Sequence, residues 1–269
     1  MKKFREKYRY SAILLRELVK TDFKLRYEGS FLGMVWSALK PLMLFAVMYV
    51  VFVHFLRFGA DIPHFPVMLF LGIVFWQFFS ETTSQGMQAI VGRGDILRKI
   101  NIPKYIVVIS TTVSALINLA INLIVVFIFG IINGVAYTWS IFWLIPLVIE
   151  LFIFSLSVAF ILSALFVKFR DLAHIWDVVL QAAYFATPIF YPVSMILAMS
   201  PLAAKGLLMS PMAQMIQDVR HAVVAPTDTV WNLVSNPILA IIPLVIVILL
   251  AIVSVNYFRR ASKRFTELV

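Results

Sequence analysis

The sequence predicts an all-α integral membrane protein. It has six transmembrane helices, an N-terminal amphipathic interfacial helix, outer re-entrant helices between spans five and six, and both termini in the cytoplasm. Three observations carry this. The 269 residues are 62% hydrophobic and only 13% charged, whereas a soluble domain is near half apolar and a quarter charged. Mean hydropathy is +0.96. Lysine and arginine are gathered in a few segments that alternate with long apolar runs.

The elements follow in order. In RYSAILLRELVKTDFKLRYEGS, Leu14, Leu15, Leu18, Val19 and Phe23 share one side of a helix, and Arg16, Glu17, Lys20 and Lys24 take the other. A basic amphipathic helix of this kind lies in the headgroup plane. Residues 1–30 are therefore assigned to a cytoplasmic interfacial helix, 31–260 to the six-span domain and 261–269 to a cytoplasmic tail. The apolar runs begin only near residue 31, after charge, which is not the layout of a cleavable signal peptide.

About 20 apolar residues cross the hydrocarbon core. Six runs qualify: 34–56, 66–90, 104–132, 141–167, 172–191 and 237–258. Pro103 stands where the third can accept it, and Asn133-Gly134 marks the turn to the fourth. Orientation comes from the cations. Residues 1–30, the loop 93–104, Lys168 with Arg170, and Arg259, Arg260, Lys263 and Arg264 hold 19 of the 23 lysines and arginines, all on one side of a six-span chain. Arg57, Lys205 and Arg220 fall on the other side, and Lys40 near the inner end of span one. Residues 192–236 are apolar but broken by Pro201, Gly206 and Pro211, so they read as short re-entrant or interfacial helices.

Several chemistries are excluded. There are no cysteines, hence no disulfide framework, thiolate metal site or cysteine nucleophile. No P-loop, H-E-x-x-H or G-x-S-x-G pattern occurs, and the four histidines lie in separate segments. The pI of about 9.9 follows topology, so no nucleic-acid partner is expected. Energy for work against a gradient must come from a partner or from ions.

Polar residues within spans are costly and often functional. Glu150 lies in span four, and Asn118 and Asn122 in span three; Glu150–Asn pairing and proton coupling are both open. Span two carries Gln77, Ser80, Glu81, Ser84 and Gln88 on one face beside Trp76, Phe79 and Thr83, as packing or as a pore wall. Span one places Phe45, Tyr49 and Phe52 at i, i+4 and i+7. After Lys168 and Arg170, Asp171 is placed to cap a helix whose one face carries His174, Asp177, Gln181, Tyr184, Pro188 and Tyr191. Asp177 lies about 9 Å and Gln181 about 15 Å along it. That face is read as a graded stripe along a passage wall, with a subunit-packing face as the alternative.

Three stretches resemble one family. VKTDFKLRYEGSFLGMVWSALKPL is similar to the pattern R-Y-x-x-S-x-L-G-x-x-W-x-x-x-x-P-L, carried here by Arg26, Tyr27, Ser30, Leu32, Gly33, Trp36, Pro41 and Leu42. ILRKINIPKYIVVIS and FRDLAHIWDVVLQAAYFATPIFYP extend the match. Together they resemble type-2 ABC exporter permeases that move lipid-linked polysaccharides, of the O-antigen, capsule and teichoic-acid class. Lys40 departs from the pattern, where a neutral residue is expected.

The resemblance implies a multi-pass protein of the bacterial inner membrane that is a transport subunit and not an enzyme. It implies a homodimer paired with two copies of an ABC ATPase, which bind the ATP and Mg; this chain itself holds no cofactor and no metal. The cytoplasmic loop 92–101 becomes a coupling helix, with Glu17, Arg93, Asp95, Arg98, Lys99 and Asn101 toward the ATPase. Outer helices at 194–224 close the exit. Lys24, Arg26 and Lys40 are candidates for the pyrophosphate headgroup. Phe45, Tyr49, Phe52, Trp76, Phe79, Gln181, Tyr184 and Tyr191 are candidates for the sugar path. Two alternatives remain: an ion-coupled transporter using Glu81, Glu150 and Asp177, and an intramembrane enzyme using His174 and Asp177.

Overall fold

Apolar runs of span length can satisfy their backbone inside lipid only as helices. The computed structural model describes residues 2–27, 33–99, 102–234 and 240–265, and the regular structure among them is helical. Ser30, Leu32, Asn101 and the start of the sixth run lie outside the described residues, as do the side chains of Arg26, Arg98 and Lys99.

Helix α1 spans Lys2–Tyr27. Its apolar residues Leu14 and Leu18 pack against a small core that includes Ile102, Val107, Val108 and Phe258, so part of that face meets protein. Helix α2, Trp36–Met48, runs on into a wider-wound stretch, Tyr49–Phe55. There the Leu56 N–H reaches back five residues to Val51 O, at 2.9 Å, the bonding of a π-helix. Only 11% of this first crossing is buried, against 78% of α3, Phe65–Gln88. Helix α3 is therefore the central post, and α2 stands at the edge.

The short helix α4 spans Gly94–Lys99, and α5 spans Lys104–Ile132 behind an extended Pro103. Gly134, at φ 76°, turns the chain toward α6, Leu144–Phe166, which a 3-10 turn at Trp139–Trp143 leads in. Helices α3 and α6 meet closely because Gly86 lacks a side chain: a Cβ there would stand 2.7 Å from the Ala159 Cβ. Small residues at such crossings let helices approach in lipid.

Helix α7 spans Leu172–Ala186 and ends a turn sooner than expected. Pro188 is the reason: a residue before proline is pushed out of the helical region, and Thr187 sits at φ −80°, ψ 140°. The Asp171 side chain makes no capping bond; its carbonyl accepts the His174 and Ile175 N–H groups instead. Among the described residues four short helices follow: α8 Val193–Met199, α9 Pro201–Leu208, α10 Pro211–Val223 and α11 Val230–Leu233. The last, α12, spans Ile242–Ala261. Among the described residues five helices, counting α2 with its extension, are long and apolar enough to cross a membrane; α7 is shorter.

The basic segments meet at one end of the bundle. Arg93 pairs with Asp22 of α1 and donates to Ser110 Oγ of α5 at 3.1 Å. Lys104 Nζ donates to Ser262 O beyond α12 at 2.6 Å. At the opposite end, α10 packs on α3 and α6, and α8, α9 and α11 share a small core of their own around Ala204, Leu208 and Val230.

Candidate functional site

Between α2, α3, α5 and α7 lies a cavity of about 990 Å³. Helix α2 contributes Trp36, Ser37, Lys40 and Leu44, and α3 contributes Ile73, Trp76, Gln77, Ser80, Glu81 and Gln85. Asn118 comes from α5, and Leu180, Gln181 and Tyr184 from α7. The polar stripe of α3 is thus a cavity wall along Gln77, Ser80 and Glu81.

This wall is ordered by its own bonds. Glu81 Oε1 accepts from Asn118 Nδ2 at 2.9 Å and from Gln85 Nε2 at 3.3 Å. Asn122 Nδ2 donates to Ser37 O at 3.1 Å and to Asn118 O at 2.9 Å, joining α5 to α2. On the aromatic side, the Trp76 and Tyr184 rings lie 5.6 Å apart. Trp176 Nε1 donates to Thr83 Oγ1 at 3.1 Å and pins α7 to α3. The expected Glu150–Asn pairing is replaced: Asn118 and Asn122 face α3 and α2, while Glu150 of α6 faces Gln214 and Asp218 of α10.

The structure divides the predicted path residues. Trp76, Gln181 and Tyr184 line the cavity, and Lys40 joins them. Phe45 instead stacks on Phe70 at 4.8 Å and meets Phe129 edge-on at 5.1 Å, inside the core. Phe79 is buried and stacks on Phe154 at 5.3 Å. Such pairs add about 0.5–1.5 kcal/mol beyond burial, which accounts for both side chains as packing. Phe52 stacks on Phe190 at 4.9 Å, Tyr49 is 39% exposed at the start of the wider-wound stretch, and the Tyr191 hydroxyl donates to Ala186 O at 2.8 Å, closing the end of α7. Of the α7 stripe, His174 and Asp177 are exposed, Gln181 and Tyr184 face the cavity, and Pro188 is buried.

The predicted coupling residues also separate. Glu17 and Asp95 are exposed on α1 and α4, whereas Arg93 is turned inward to Asp22 and Ser110. Lys24 is exposed on α1. Sequence reading missed Gln85, Ser37 and Asn118 as wall residues. The signal for Gln85 was its place one turn after Glu81; Ser37 carries none that periodicity would show.

Among the described residues the wall combines aromatic faces, amide donors and acceptors, one cation and one carboxylate. That set suits a hydroxyl-rich ligand held by many exchangeable contacts. Among the described residues no three histidines or carboxylates gather as a metal site.

Residues 13–224 match the family model described as ABC-2 type transporter. The chain is 36% identical over 193 residues to the O-antigen export system permease protein RfbA of Myxococcus xanthus, across 71% of this chain and 73% of that protein. It is 27% identical over 258 residues to a protein of the same name from Klebsiella pneumoniae, across 95% of each.

Proposed function

The chain belongs to the ABC-2 type transporter family, and on that premise we propose that it is the transmembrane permease subunit of an ATP-driven exporter of a lipid-linked polysaccharide. Transport runs from the cytoplasmic to the outer side of the bacterial cell membrane. The named relatives are O-antigen permeases, which supports a substrate of the O-antigen class. The observation that carries the reading is the cavity, where Trp76 and Tyr184 stand beside Gln77, Gln181 and Lys40. Aromatic faces let a sugar chain slide, amides exchange hydrogen bonds along it, and Lys40 offers a cation to the pyrophosphate.

Several finer points go with it. The basic end of the bundle is cytoplasmic, by the rule that places lysine and arginine inside. Helix α7, with the extended segment to Pro192, makes the sixth crossing, so both termini are cytoplasmic. Two copies pair through α2 and α7, whose cavity-bearing helices are left largely exposed in one copy. A separate ABC ATPase, two copies, binds ATP and Mg and docks at α4; the sequence holds no P-loop of its own. Helices α8 to α11 lie at the outer exit.

Alanine at Gln77 and Tyr184 tests the passage. Each variant should remain in the membrane at the parent level. Surface polysaccharide, measured by immunoblot, should fall about tenfold, the equivalent of roughly 1.4 kcal/mol of lost contact. Undiminished export by both would overturn the assignment.

A further inference from the structure

Arg220 lies in the last turn of α10 and is 2% exposed. Its guanidinium turns into the protein. Nε donates to Met68 O of α3 at 3.0 Å. Nη1 donates to Pro188 O at 2.7 Å and to Gln217 Oε1 at 3.1 Å, and Nη2 to Ile189 O. All of these acceptors are uncharged oxygens. A guanidinium stays protonated at neutral pH, so this is a buried cation that depends on hydrogen bonds alone.

Two of those acceptors stand at a particular place. Helix α7 ends at Ala186. Carbonyls in the non-helical segment past a helix end have no helical N–H partner, and when buried they must find a donor elsewhere. Arg220 supplies the missing donors to Pro188 O and Ile189 O from a different element. Gly72 makes the room: a Cβ there would stand 2.7 Å from Nη2. One side chain therefore ties α10 to α3 and to the tail of α7, the two helices that carry Trp76, Gln77, Gln181 and Tyr184.

We propose that Arg220 is a positioning residue that locks α10 to α3 and to the tail of α7, and releases it when α7 moves aside for the polymer. The release half rests on the cavity being the passage; the lock does not. Hydrogen bonds fail beyond a few tenths of an ångström, so a small displacement of the α7 tail removes two of the acceptors. The cation is then left buried and underpartnered, which disfavours the docked position of α10. Phe190 links the movement to the wall, with its ring 5.3 Å from Tyr184 and 4.9 Å from Phe52.

The absence of cysteine gives a clean background for labelling. Met215→Cys places a reporter in α10, and Ser155→Cys one in α6; both native side chains are 0% exposed. The full chain is kept with its ATPase, in spheroplasts of a strain that makes no polymer, and a membrane-impermeant maleimide is added outside. Met215→Cys should label slowly. Arg220→Gln should speed that labelling about tenfold or more, the factor expected from one lost hydrogen bond to a charged group. Gly72→Ala should do the same with Arg220 intact, and it decides the matter where Arg220→Gln fails to accumulate. Ser155→Cys should stay protected throughout. Unchanged labelling of Met215→Cys, or an equal rise at Ser155→Cys, would overturn the lock. With polymer synthesis restored, labelling of Met215→Cys beside native Arg220 should rise during export, and flat labelling with export intact would overturn the release. Normal export by the Gln77 and Tyr184 variants would count against the passage alone.

Discussion

Asp218 sits on α10 two residues before Arg220 but faces α6. Gln214 Nε2 donates to its Oδ2 at 2.5 Å. Burial pushes its carboxyl above the ordinary 3.8, and the bonds from Gln214 and Trp231, with His221 nearby, pull back only in part. The sign follows from linkage. A carboxyl that holds its proton more tightly when folded favours the fold below its ordinary pKa. That contribution disappears as pH rises through the raised value. Asp218→Asn keeps the shape and removes the charge. Its thermal midpoint in detergent should exceed the parent's by about 2–4 °C at pH 8, with the gap closing toward pH 4. A gap of equal size at both values would refute this. At this scale the sequence was only partly legible. Lys40 stood out as a departure from the family pattern, and it does reach the cavity. Phe45, Phe52 and Phe79 carry the same aromatic signal as Trp76, yet stack within the protein. Which side of a ring meets another helix is a tertiary fact that residue type does not encode.

Elements were legible wherever composition alone decides them. Helices α3 and α5 fall within two residues of the apolar runs that predict them, because hydrocarbon thickness sets their length. The α1 face was also readable: Leu14, Leu15, Leu18, Val19 and Phe23 are half-buried while Arg16, Glu17, Lys20 and Lys24 are exposed. Helix α7 was overextended because the Thr187-Pro188 break was passed over. Helix α4 tests the element scale directly. It is one short helix at the basic end, joined by Arg93 to α1 and α5. A push on α4 therefore reaches α1 and the start of α5 together. Replacing Arg98 and Lys99 by glutamate should leave the protein in the membrane but cut surface polysaccharide about tenfold or more, since like charges across an interface cost several such factors. Full export in the double variant would remove α4 from the coupling route.

At the scale of the whole molecule, the cavity wall is unevenly supported. Its α3 side is packed from all directions, and its α2 and α7 sides are backed by little protein. Met43, Val47, Ile175 and Val178 are 57%, 59%, 58% and 67% exposed, on the helices that also bear Lys40, Gln181 and Tyr184. Lipid would cover these apolar side chains, but α7 also carries exposed Asp177 and His174, and a charge in hydrocarbon must face protein or water. A second copy meeting the first through α2 and α7 satisfies both demands. It gives the apolar residues a partner and encloses the charged stripe beside the cavity. Single cysteines at Met43, Val47, Ile175 and Val178 should then cross-link between copies under mild oxidation, with the strongest band nearest the twofold axis. Cysteines at Ile128 of α5 and Ile252 of α12, which are 54% and 55% exposed, should stay monomeric. Cross-linking at Ile128 and Ile252 with none at the α2 and α7 positions would put the interface on the opposite side.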